Sequence, residues 1–156
     1  MPPVKNNISP AKYLFEINAV IEILKSTDNL LKSSFIDGMK DGSVKILRSV
    51  SDDLSNAYPD EYKSFQGIKP KNSVYQQEIV KHEAVQAMLM DSYGSSILTG
   101  SPSPSYFLNV AVSIQEKLIL VAAGRGLTSC RKISKKCGLS GPPIMSLGEF
   151  VTDCLL

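Results

Sequence analysis

The stretch from Tyr106 to Ala123, YFLNVAVSIQEKLILVAA, constrains this chain most. It is apolar enough to demand burial. Asn109, Ser113, Gln115, Glu116 and Lys117 interrupt it, so it is no membrane span. Its place is inside protein, and its length and spacing predict a central helix stopped by Gly124 or Gly126.

The remaining pattern is also helical. Ser9 is a capping residue and Pro10 suits a first helical position. Tyr13, Ile17, Val20, Ile21 and Leu24 then recur at three- and four-residue steps. Thr27-Asp28 restarts a second helix carrying Leu30, Leu31, Phe35 and Met39, and Asp41-Gly42 breaks it. Ser43 to Ala57 presents Val44, Leu47, Val50, Leu54 and Ala57 as one stripe, ended by Pro59. The stretch from Tyr58 to Asn72 reads as a connector with a short helical turn at Asp60 to Phe65. Asn72-Ser73 opens a long helix to Ser92. A terminal helix runs from Ser146 to Cys154.

No strand alternation of useful length and no internal repeat occurs. The expected fold is an all-α, multi-helix bundle of about six to eight helices with mostly antiparallel neighbours. With 156 residues, the chain reads as a single all-α domain, 1–156, with a loose N-terminal arm at 1–8 and a mobile Ser/Pro loop at 94–105.

Charge is unevenly placed. The formal net charge is only +2, from 17 basic and 15 acidic residues. Between Lys117 and Gly148 there are six basic residues and no acid, which leaves the rest of the chain at −4. A mildly acidic body with one basic segment points to an anionic partner. The segment GRGLTSCRKISKKCG, Gly124 to Gly138, carries most of the effect. If Thr128 caps it, Ser129 to Cys137 is a short helix stopped at Gly138. Leu127, Cys130, Ile133 and Cys137 then share an inward arc, and Arg131, Lys132, Lys135 and Lys136 face outward, with Arg125 in the loop before them. Cations on one helix face suit a phosphate backbone, and the lack of stacking aromatics in the segment favours backbone over base contacts. Against this stands the plain alternative that an amphipathic helix needs a polar outside and favours cations near its C-terminus.

Other chemistries fit less well. GRGLTS resembles part of a phosphate loop, but such loops follow a strand, and a helix is expected here. Cys130, Cys137, Cys154 and the lone His82 lack the close ligand pair of a structural zinc site, so no metal or other cofactor is expected. KHEAVQ has Gln86 where a second zinc-binding histidine would stand. Asp52-Asp53 and Asp60-Glu61 are adjacent pairs, which on a helix do not face each other. RKIS makes Ser134 a kinase-site candidate with poor access, and Ser101 and Ser103 are more open ones.

No catalytic residues are assigned, and the chain is expected not to be an enzyme. The expected function is a non-enzymatic helical assembly or interaction protein, acting as a homo-oligomer or with a protein partner. It would contact the nucleic-acid phosphate backbone, with RNA a possible target, through Arg125, Arg131, Lys132, Lys135 and Lys136. The alternative is a protein-only adaptor or self-associating regulatory protein, such as a viral accessory protein. Its basic patch would meet an acidic partner or only water. The apolar helix Leu30, Leu31, Phe35, Ile36 and Met39 supports self-association. Sparse cysteines and the absence of a signal-like start point to an intracellular setting, cytoplasm or nucleus.

Overall fold

The computed structural model describes residues 10–71, 74–94 and 100–156. The predicted arm at 1–8, the Ser9 cap, the Asn72-Ser73 helix start and the middle of the Ser/Pro loop lie outside the described residues.

Among the described residues, the chain forms β1 (Tyr13–Phe15), α1 (Ile17–Lys25), α2 (Asn29–Asp41), β2 (Val44–Leu47), α3 (Arg48–Ala57), α4 (Pro59–Ile68) and β3 (Tyr75–Gln76). It continues with α5 (Val80–Tyr93), α6 (Pro104–Glu116), β4 (Ile119–Val121), α7 (Gly124–Lys136), β5 (Ile144–Met145) and α8 (Leu147–Leu155). The strands form one parallel sheet in the order β3-β2-β1-β4-β5. The fold is therefore α/β, and the expected all-α bundle of antiparallel neighbours is incorrect. The physical reason is burial. A strand covered on both faces reads as an unbroken apolar run, without the alternation of a half-exposed strand. Tyr13, Leu14 and Phe15 are all buried, as are Leu120 and Val121.

Register places β1 at the centre. Tyr13 lies between Val44 and Ile119, and Phe15 between Ile46 and Val121. On one face, the Phe15 ring meets Phe35 of α2 at 5.0 Å and Phe150 of α8 at 4.8 Å, and Tyr13 meets Phe150 edge-on at 4.9 Å. Leu14 points to the opposite face, because side chains alternate along a strand. These rings fix α2 and α8 over β1. The Tyr13 hydroxyl also donates to Asp153 of α8, and Lys12 pairs with the same carboxylate at 3.1 Å. The phenol hydrogen bond, with Lys12 beside it, holds Asp153 below the usual carboxylate range. Burial and the Asp153 contact push the Tyr13 phenol up to about 12.

Local signals were legible where they were short-range. Asp28 caps α2 by accepting from the Leu30 and Leu31 amides at 3.0 and 3.1 Å, and Gly42 ends it at φ +91°. Pro59 follows the end of α3 as expected, but it also opens α4, where its missing N–H costs nothing. The long helix expected from Asn72-Ser73 is instead β3 followed by α5. The apolar residues of α2 find partners inside the molecule: Leu31, Phe35 and Met39 are buried, Ile36 packs against the core, and Leu30 stays exposed. The argument for self-association drawn from α2 therefore weakens.

Candidate nucleic-acid interface

From β1 the chain steps to β2 and β3 on one side, and β4 and β5 lie on the other. In such sheets the crevice beyond the carboxyl ends of the two divergent strands is the usual ligand position. Here those ends are Phe15 and Val121, and α1 and α7 begin immediately after them. The basic helix therefore starts at this switch point.

The correction to its start matters. α7 begins at Gly124, several residues before the predicted Thr128 cap, and Thr128 bonds back to the Gly124 carbonyl at 3.3 Å. GRGLTS follows strand β4 and not the expected helix, which is the context of a phosphate loop. The anion position is nevertheless occupied by the protein itself. Glu16, fully buried, accepts from the Ala19 amide at 2.8 Å, the Asn18 amide at 2.9 Å and the Ala123 amide at 3.0 Å. Asn18 Nδ2 donates to it as well, at 3.0 Å. One carboxylate thus caps α1 and holds the entry to α7. Gly126 makes room for it: a Cβ there would lie 2.3 Å from Glu16 Oε2. Burial pushes the Glu16 carboxyl up, and the four N–H donors pull against that rise.

Outside this plug lies an open cleft of about 400 Å³ between α6 and α7. Arg125, Thr128, Ser129 and Lys132 supply its α7 wall, and Ser101, Ser103, Tyr93 and Tyr106 lie opposite. α6 begins at Pro104, so its N-terminal end lies beside the cleft. Tyr106 is linked to the plug, since its hydroxyl accepts from Asn18 Nδ2 at 2.9 Å. Burial raises the Tyr106 phenol above its ordinary range.

All five predicted basic residues are exposed, but they do not form one set. Arg125 and Lys132 share the cleft. Lys136 stands 4.2 Å from the centre of the Tyr93 ring. Arg131 turns toward α8 and pairs with Glu149 at 3.0 Å. Lys135 is on the outer face. Inward of them, Cys130 and Ile133 are buried, Cys137 is half-buried, and Gly138 supplies the left-handed stop at φ +65°. Burial pushes the Cys130 thiol well up, away from the thiolate form. Ser134 is half-buried, whereas Ser101 and Ser103 are exposed.

Sequence reasoning missed Glu16 and Tyr106 as parts of this region. Glu16 was legible only as one acid in an apolar run, because its donors come from both Asn18-Ala19 and the distant Ala123. His82 sits in the first turn of α5, where Nδ1 accepts from the Ile79 amide at 3.1 Å. That assigns the proton to Nε2, which donates to Glu116 Oε1 at 2.7 Å. The ring is buried and both nitrogens are engaged, so it fastens α5 to α6.

A larger concavity of about 610 Å³ lies at the opposite edge of the sheet, beside the starts of β1 and β2. Asp37, Asp41 and Asp153 line it together with Lys12. Its charge opposes phosphate binding, so size alone does not locate an anion site.

No family model matches the chain, and no curated protein matches it. Among solved structures it is similar to the crystal structure of PAE2754 from Pyrobaculum aerophilum. The identity is 11%, over 94% of this chain and 98% of that one, with a TM-score of 0.62. At that identity the likeness concerns the fold, and it agrees with α/β over all-α.

Among the described residues, no helix is long and apolar enough to cross a membrane.

Proposed function

We propose that this chain is a non-enzymatic, intracellular binding protein that holds a nucleic-acid phosphate backbone at the cleft between α6 and α7. The observation that carries the reading is the placement of Arg125 and Lys132 on one cleft wall at the sheet's switch point. The exposed hydroxyls of Ser101 and Ser103 can accompany them, because backbone contacts commonly combine cations with hydroxyl donors. Glu16 closes the backbone anion position, so side chains do the binding. Tyr93 is buried and already covered by Lys136, which leaves little for base stacking. Recognition is therefore of backbone and not of sequence.

The cations should contribute unequally. Arg125 and Lys132 face the cleft, whereas Arg131 and Lys136 have partners within the protein. Fluorescence anisotropy with short single- and double-stranded RNA and DNA tests this. Arg125→Glu and Lys132→Glu are expected each to weaken binding about tenfold, and Arg131→Glu by about threefold or less. Equal losses at all positions would point to a diffuse basic surface. Absence of nucleic-acid binding, with retained binding of an acidic protein, would favour the protein-only alternative.

A further inference from the structure

The outer face of α5 carries a short stripe that is complementary to itself. Val80 is 80% exposed and Met88 69%. Ala84 and Ala87 between them are exposed, as are Lys81 and Asp91 at either end. At 100° per residue these six residues fall on the side opposite buried His82, Leu89 and Tyr93. α5 thus has apolar residues on both sides, and only one side is covered, by α6 and in part by α7. No ion pair among the described residues involves Lys81 or Asp91.

We propose that α5 is a homodimer contact, formed by antiparallel pairing with α5 of a second copy about a two-fold axis. The stripe reads basic, small, large, acidic, with Lys81, Ala84, Met88 and Asp91 at steps of three, four and three. Reversing the direction of one copy places Lys81 opposite Asp91 and Ala84 opposite Met88. Each large side chain meets a small one, and each charge meets its opposite, in both halves of the contact. Such self-complementarity is what an isologous interface requires. The two alanines near the crossing allow close approach of the helices. A single helix pair is a small interface, so the dimer is weak and concentration-dependent.

This inference is independent of the anion-binding reading, because α5 gives the cleft only the buried Tyr93, on the side opposite the contact stripe. Sedimentation of the full chain across a wide concentration range, without nucleic acid, provides the test. The average mass should rise toward twice the monomer value. Lys81→Asp or Asp91→Lys alone should weaken association about tenfold, since two attractive pairs become repulsive. The double exchange should restore it. Met88→Asp, at an exposed position that leaves folding intact, should give a monomer. A monomer at every concentration would overturn the proposal, as would a double exchange no better than either single one. Arg125→Glu with Lys132→Glu should leave the dimer unchanged, which separates failure here from failure of the cleft.

Discussion

Glu16 decides how the switch point is built. Its carboxylate receives three backbone amides and one side-chain amide from two segments far apart in sequence. Glu16→Ala would leave those donors unpaired in a buried site. A cost of about 3 kcal/mol or more is expected in urea unfolding at neutral pH, with a smaller loss for Glu16→Gln, which keeps one acceptor. Tyr13 and Asp153 make a second residue-scale case, and their signs differ. The Asp153 carboxyl is depressed in the folded protein, so its contribution is present above the unfolded pKa and lost as pH falls through the folded value. The Tyr13 phenol is raised to about 12, so its contribution is complete below the ordinary tyrosine value of about 10 and lost as pH rises toward 12. Thermal melts across pH should show a plateau with an acid limb and an alkaline limb. Tyr13→Phe should flatten the alkaline limb. An unchanged alkaline limb would contradict the Tyr13–Asp153 link.

At the scale of elements, Gly126 is where α7 meets Glu16, the residue that joins β1 to α1 and caps α1. Gly126→Ala would drive a methyl into the Glu16 carboxylate. A loss of about 1–3 kcal/mol is expected, and it should shrink in the Glu16→Ala background, since the two positions share one contact. A full loss in both backgrounds would place the clash elsewhere. The same junction explains what the sequence hid. Capping residues such as Asp28 and stops such as Gly42 and Gly138 act on immediate neighbours, so they could be read directly. β1 is three buried residues, β4 is half-buried Ile119 followed by buried Leu120 and Val121, and both adjoin apolar helices. Tyr13 falls four residues before Ile17, and Ile119 to Val121 continue the apolar run after Glu116. Helical spacing therefore runs across both strands unbroken. What makes them strands is pairing with Val44 to Ile46 and with each other, and that information is long-range. The cationic face of α7 was visible because it depends on helical periodicity alone. The cleft was not, because Ser101, Ser103 and Tyr106 join it only once α6 packs beside α7.

For the whole molecule, the two edges of the sheet carry opposite character. Arg125 and Lys132 flank the carboxyl edge, and Asp37, Asp41 and Asp153 gather at the amino edge. A polyanion approaching such a protein is drawn to one edge and repelled from the other, which orients it before contact. The near-neutral total charge conceals this polarity. The central claim is that binding at the carboxyl edge is held by phosphate contacts and not by bases. Its most direct measurement is the salt dependence of anisotropy-derived affinity for one single-stranded oligonucleotide, in the wild-type protein and in Arg125→Glu with Lys132→Glu. The account predicts a linear fall of log affinity with log salt, with a slope of roughly −2 to −3, that becomes shallower by about one or more in the double variant. Salt-independent binding, or an identical slope in both proteins, would contradict it.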